Sequence, residues 1–350
     1  MWRRKWRRGG DTAVVDGPPG VNGHFSGTEE ELFAEIAELS EANRSDADRD
    51  TERRLLRLRH LAGIRMLNAE DNEPRHPDPD YDALAGADRL PDIAAERLTP
   101  GLLRAGILRD GCLLVRGLIS REDALAFAAQ IDRSFAERQG LDEGKPPADG
   151  YYEPFRPEAS YEMTDEERHW IRAGGGVLAA DSPLLSSEMI ELFRSAGLPQ
   201  LVEGYLGERP VISVQKTTLR KAEPTVAGAW HQDGKFMGEV RSLNLWLSLS
   251  RCGDEAPGLD LVPRRLDGLV ATQTDEAMLD IQVSRAKAEE AAGDAGIVRP
   301  IFEPGDALFF DELFLHSTGS DPSMPKPRFA IENWFFGGSS FPSEYGPLAI

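Results

Sequence analysis

The chain has 350 residues, 40% of them hydrophobic, and carries a formal net charge of −20 from 60 acidic and 40 basic side chains. That length and apolar content suffice for one large or two small cored domains, while so acidic a body works against broad binding to nucleic acid or anionic lipid. No run of eighteen apolar residues offers a membrane-spanning helix, and two cysteines, Cys112 and Cys252, make no disulfide framework, so a reducing cytoplasm is the expected location.

The opening MWRRKWRR carries five positive charges and no apolar segment follows it, so it is not a secretory signal. Residues 1–27 are expected to form a disordered basic tail, since DGPPG and NGHFSG break any periodicity. A helical extension is expected over 28–104. It begins at Thr28, where Glu31 three residues on completes a capping-box pattern, and Leu32, Phe33, Ile36 and Leu39 share one face. A second helical stretch carries Leu55, Leu58 and Ala62 at helical spacing. His60, among arginines, reads as a surface residue, and His76 in the proline-rich stretch 69–80 reads as solvated.

The main domain is expected over 105–340. CLLV reads as a short buried strand, and Ser120 caps a following helix with Asp123 in its first turn. Residues 139–165 are polar but hold Tyr151, Tyr152, Phe155 and Tyr161, and two further helical pieces surround SSEMIELFRSA and LPQLVEGYLG. From residue 209 short apolar runs alternate with turn residues: PVISVQKTTL, SLNLWLSLS, GLDLVP, IVRPIFEP, DALFFDE and RFAIENWFF. Such spacing argues for a β-barrel or sandwich. One polar stretch, DEAMLDIQVSRAKAEEAAGD, interrupts it as a helical insertion or loop.

Within this half lies WHQDG. His231 and Asp233 are alternate residues, so on an extended chain both side chains reach one face. A second histidine, His316 in FFDELFLHSTG, stands 85 residues on (316 minus 231). Two histidines and one carboxylate on one side of a metal make the facial triad of non-haem Fe(II) oxygenases, with the opposite side open. Arg328 starts the apolar run RFAIENWFF, where a buried guanidinium needs a partner, and a carboxylate is a suitable one.

The order WHQDG, LNLWLSLSRCGDEAPGLDLVP, EPGDALFFDELFLHSTG and RFAIENWF resembles the phytanoyl-CoA dioxygenase-like family over roughly residues 105–337. The resemblance implies an α+β protein with a double-stranded β-helix (jelly-roll, cupin-like) core, mainly over 209–337, buttressed by the N-terminal helices. It implies an Fe(II)- and 2-oxoglutarate-dependent dioxygenase that consumes O2, releases succinate and CO2, and hydroxylates a small organic metabolite. His231, Asp233 and His316 would be the catalytic iron ligands; Arg328 would pair with the distal carboxylate of 2-oxoglutarate, Thr318 would set a hydroxyl against the same group, and Trp246 would lie near the co-substrate. Because Asp233 is a carboxylate, hydroxylation is favoured over halogenation, whose enzymes carry a small residue there, while desaturation, ring closure and epimerisation at the same metal centre stay open. Residues 1–100 match no family in this way.

On SLNLWLSLS, Leu243, Leu245, Leu247 and Leu249 share one face, and Asn244, Trp246 and Ser248 the other. The leucine face packs outward, so the polar-aromatic face looks toward the metal, where an interior polar group needs a partner. Asn244 and, on PVISVQKTTL, Gln215 are thus candidate ligands of co-substrate or substrate. Substrate contacts are expected from loops at the mouth, among them Phe155, Arg156, Trp170, Arg172, Lys235, Phe236, Met237, Arg264 and Arg265. Neither nucleic acid nor a stable membrane insertion is expected as a partner. Two other readings remain at this point: a cupin-type metalloenzyme without 2-oxoglutarate, and a barrel that binds or scaffolds without chemistry.

Overall fold

Local signals start the helices where the chain predicts. In the computed structural model, which describes residues 25–67, 74–84, 90–146, 150–226, 228–237, 240–274, 277 and 279–350, Thr28 and Glu31 form both halves of the capping box of α1 (Glu29–Ser45). MWRRKWRR lies outside the described residues. α2 (Arg49–Leu67) follows, and Thr99 caps α3 (Pro100–Asp110), which ends on Gly111 at φ 84°, a left-handed position that suits glycine. Ser120 accepts from the Asp123 amide to start α4 (Arg121–Asp142). α5 (Asp165–Ala173), α6 (Pro183–Ser195) and α7 (Leu198–Leu206) complete the helical half. Two short helices, α8 (Gly234–Met237) and α9 (Arg285–Ala292), interrupt the strand-rich half.

Among the described residues ten strands build the core: β1 (Asp92–Ala94), β2 (Cys112–Arg116), β3 (Gly176–Leu178), β4 (Pro210–Ala222), β5 (Leu243–Ser248), β6 (Gly258–Leu261), β7 (Ala307–Asp311), β8 (His316–Gly319), β9 (Arg328–Gly337) and β10 (Pro347–Ala349). Eight form one mixed sheet in the order β1-β2-β7-β5-β9-β4-β10, with β3 also on β4. β6 and β8 pair in a second sheet. Single bridges widen it: Trp230 to Val283, His231 to His316, and Leu261 to Val298. The two sheets face each other as a jelly roll without closing into a barrel. IVRPIFEP contributes bridges rather than a strand, through Val298 and Phe302.

Period-two patterning decides what each face of the large sheet meets. Leu243, Leu245 and Leu247 of β5, Phe309 of β7 and Ile331 and Phe335 of β9 join one core cluster with residues of α3, α4, α6 and α7. Opposed residues on neighbouring strands share a face. The other face therefore carries Asn244 opposite Trp334 and Phe310, Trp246 opposite Glu332 and Leu308, Thr218 opposite Glu332, and Ala222 opposite Arg328. It looks at the small sheet across Cys252, Leu259, Leu261 and Phe302.

The N-terminal helices pack onto this sheet through its last strand. Leu32, Ile36, Leu55, Leu58 and Ala62 cluster with Val211 and Ala349. Two histidines differ from the expectation. His60 is buried at 4% exposure, not on the surface: its Nδ1 lies 2.8 Å from the Pro347 carbonyl, and its Nε2 accepts from the Glu158 amide at 3.1 Å. His76 is half-buried, with Nδ1 3.0 Å from the Tyr205 carbonyl. Partners far away in sequence hold both rings, so neighbouring residues gave no sign of them. No helix among the described residues is long and apolar enough to cross a membrane.

Candidate metal centre and co-substrate cavity

His231 and His316 meet through the backbone. Each donates its amide to the other's carbonyl, at 3.0 and 3.1 Å, and the ring centroids lie 4.4 Å apart. A distance of 85 residues (316 minus 231) is thus closed by one bridge between two strand segments. After His231 the chain leaves the strand and turns into α8, so Asp233 sits in a turn rather than on a continuing strand. One donor atom from each of His231, Asp233 and His316 lies within 4.8 Å of the others, and His231 Nε2 is 3.5 Å from Asp233 Oδ1.

Both rings are oriented for coordination. His231 Nδ1 lies 2.7 Å from the Ala229 carbonyl and His316 Nδ1 3.1 Å from that of Phe314. Carbonyls only accept, so each Nδ1 carries the proton and each Nε2 presents a lone pair to the cluster. Burial, and then the charge His231 can carry, pull the His316 pKa down to about 4, so its ring is neutral near pH 7. Asn244 Nδ2 donates to Asp233 Oδ2 and leaves Oδ1 for the cluster.

These residues open into a cavity of about 260 Å³ that also holds Gln215, Lys216, Thr218, Arg220, Phe236, Trp246, Phe310, Thr318, Arg328, Glu332 and Trp334. Arg328 is 1% exposed. Its Nη1 donates to the Gly258 carbonyl at 3.1 Å, Glu332 Oε1 is 4.0 Å from Nη2, and among the described residues Nε has no partner. Burial pulls its guanidinium below the ordinary value. Trp246 Nε1 is likewise buried without a partner, with the Arg328 guanidinium 5.4 Å over its ring. Two orphaned buried donors are costly, and a bound carboxylate has the acceptors that would satisfy them. Burial would raise the Glu332 carboxyl, but Arg220 and Arg328 outweigh it and hold it below the ordinary value. Arg220 Nε donates to Glu332 at 2.7 Å.

Seven of the eight site residues expected from sequence line this one cavity, and the eighth, Asn244, lies behind it. Asn244 acts by holding Asp233, with its own Oδ1 buried and, among the described residues, unpartnered. Gln215 lines the wall, but its amide already serves main chain: Oε1 accepts from Gly346 at 2.7 Å and Nε2 donates to Tyr161 at 3.5 Å. Of the loop residues, Phe236 reaches the cavity. Tyr151, Tyr152 and Phe155 are buried in the helical core instead, Arg172 and Arg265 pair with Asp142 and Asp311, and Arg264 caps the Ala291 carbonyl. His169 and Trp170 are exposed on α5.

Sequence reasoning missed Lys216, Thr218, Arg220 and Glu332. Lys216, Thr218 and Arg220 alternate along β4 and Glu332 stands opposite Thr218, so all four share the inward face, a signal present in the strand pattern. The register shift in β4 between Ile212 and Thr217 bears on Gln215, which has the opposite parity. Such an irregularity breaks alternation, so Gln215 lines the cavity beside Lys216 despite its opposite parity.

A jelly roll that sets a two-histidine, one-carboxylate cluster beneath a buried arginine has the arrangement of the non-haem Fe(II) oxygenases. The family model described as Phytanoyl-CoA dioxygenase (PhyH) matches residues 107–328, and the chain belongs to that family. It is an Fe(II)- and 2-oxoglutarate-dependent oxygenase. Among solved structures, EctD from S. alaskensis with 2-oxoglutarate and 5-hydroxyectoine is 16% identical, with TM-score 0.47 over 77% of this chain and 85% of that one. AviO1 from Streptomyces viridochromogenes Tue57 is 19% identical, with TM-score 0.44 over 70% and 98%. SnoK, an alpha-ketoglutarate-dependent carbocyclase from nogalamycin biosynthesis, is 16% identical, with TM-score 0.42 over 69% and 85%. No curated protein matches the chain.

Proposed function

We propose that this oxygenase hydroxylates an unactivated C–H bond of a small organic metabolite, with His231, Asp233 and His316 as iron ligands and Arg328, Thr318 and Trp246 around 2-oxoglutarate. One observation carries the reading: three convergent ligand atoms share a small cavity with a buried arginine whose Nε is unsatisfied. When bound, Fe(II) with 2-oxoglutarate supplies O2 activation and oxidising power, with release of succinate and CO2.

The chain's own residues prepare that chemistry. The Ala229 and Phe314 carbonyls fix both imidazoles in the ligating tautomer. Asn244 holds one carboxylate oxygen of Asp233 so that the other points into the cluster. Arg328 neutralises the far carboxylate of the co-substrate in a dry site, where a charge pair is strong. The Trp246 indole N–H and the Thr318 hydroxyl add hydrogen bonds there. Phe310 and Trp334 keep water from the reacting atoms. Retention of Asp233 favours hydroxylation over halide transfer, because its oxygen occupies the position a halide would take.

The test combines the iron- and 2-oxoglutarate-loaded protein, isotopically labelled dioxygen and a metabolite mixture. A product heavier by one labelled oxygen, formed with stoichiometric succinate and absent with Asp233→Ala, is expected. A product that has lost two hydrogens and gained no label would replace hydroxylation by desaturation or ring closure.

A further inference from the structure

The cavity holds three cationic side chains, Lys216, Arg220 and Arg328, against two carboxylates, Asp233 and Glu332. Arg220 is committed to Glu332 and to the Gly174 carbonyl, and Arg328 stands between Glu332 and the Gly258 carbonyl. Lys216 is different. Among the described residues no carboxylate lies within salt-bridge distance of its ammonium. Three aromatic rings surround it instead, with centroids at 4.3 Å for Phe236, 4.7 Å for Trp334 and 5.2 Å for Tyr345. Tyr345 is tied in by its hydroxyl, which donates to the Phe236 carbonyl at 3.1 Å. Burial pulls the ammonium pKa down to about 8.

Ring faces compensate only part of the cost of a poorly hydrated ammonium. Lys216 alternates with Thr218 and Arg220 along β4, so the strand itself turns this lysine onto the inward face that carries the cavity. The charge balance points the same way. Fe(II) and doubly charged 2-oxoglutarate cancel, so the loaded cavity keeps the excess of one positive charge. The location is right for a substrate handle, since the Phe236 ring under Lys216 is itself 6.1 Å from the His231 ring.

We propose that Lys216, caged by Phe236, Trp334 and Tyr345, is the anchor for a carboxylate on the substrate, which places an adjacent C–H bond over the metal. The substrate class is then a small monoanionic carboxylic acid with an apolar body, the aromatic walls taking the body and the ammonium the charge. This rests on the iron and 2-oxoglutarate reading above. It makes Lys216 a specificity-determining residue that leaves metal and co-substrate binding to the other groups.

The probes are butyrate, benzoate and cyclohexanecarboxylate, each beside its neutral carboxamide. They are titrated anaerobically into the Fe(II)- and 2-oxoglutarate-saturated protein, with the visible metal-to-co-substrate band as readout. At least one acid should perturb the band at tenfold lower concentration than its amide. Lys216→Met should keep the unperturbed band and lose that preference, and Lys216→Arg should retain it. Equal response to acids and amides, or a preference that survives in Lys216→Met, overturns the anchor. Absence of the band in the unaltered protein contradicts the underlying reading instead. Calorimetry of the same pairs on metal-free protein then decides the anchor by the same two criteria.

Discussion

Asn244 illustrates how much of this site depends on side chains that never need to touch the metal. Its amide holds Asp233, and both residues are almost fully buried. Removing such a partner lets the carboxylate rotate, a loss of about 10- to 100-fold in metal affinity by analogy with other metal sites. Asn244→Ala should therefore weaken Fe(II) binding by about that factor in a metal titration, with the far-ultraviolet circular dichroism unchanged. Arg328→Met addresses the co-substrate. Truncating one member of a buried charge pair costs about 2–5 kcal/mol, so the 2-oxoglutarate concentration for half-saturation should rise at least about 30-fold, one tenfold step per 1.4 kcal/mol. Metal affinity without co-substrate should change little. At this scale His231, Asp233, His316 and Arg328 could be picked out beforehand, because burying such groups needs a reason that chemistry supplies. Asn244 was found by strand parity, although its contact is with Asp233 rather than with a ligand. Lys216 was not found although it shares the inward parity of Thr218 and Arg220, because a lysine in a strand reads as a solvated charge until the rings around it are known.

Between elements, one close constraint lies where α2 meets β10. A Cβ on Gly63 would stand 2.8 Å from the Pro347 carbonyl carbon and 2.9 Å from its oxygen, both backbone atoms that cannot swing away. Gly63→Ala should cost about 1–3 kcal/mol, the range for overpacking, despite the better helix propensity of alanine, and chemical denaturation would measure it. His60 marks the same seam. Its Nε2 must stay unprotonated to accept from Glu158, and burial lowers its pKa from 6.5. Below pH 6.5 the unfolded chain therefore binds more protons than the folded one, and stability falls as pH drops through that value. Denaturant midpoints should decline from pH 7.5 to 5.5, and His60→Gln should flatten part of that decline; an unchanged slope would remove His60 as its source. Helix starts such as Thr28 and Ser120 were readable because a cap is made by residues three apart. The three-residue strands β1, β3 and β10 were not, since so short a run has no period and is defined by its partner.

Across the whole molecule, the large sheet gathers strands from Asp92 to Ala349, and the cavity opens on its inner face. The jelly roll was recognisable from the order of its motifs, each of them weak alone. How the strands pair, and that the small sheet is completed by single bridges at His231 and Leu261, depends on contacts between segments distant in the chain. Closing the site therefore needs the entire core, and loaded metal and co-substrate report on it directly. The first measurement is anaerobic absorption of the purified protein titrated with Fe(II) and 2-oxoglutarate, which needs no substrate. A weak visible charge-transfer band that requires both additions, disappears with His231→Ala and weakens with Arg328→Ala is the predicted result. Iron binding with no band that depends on 2-oxoglutarate, or a band indifferent to both substitutions, would contradict the assignment of these residues.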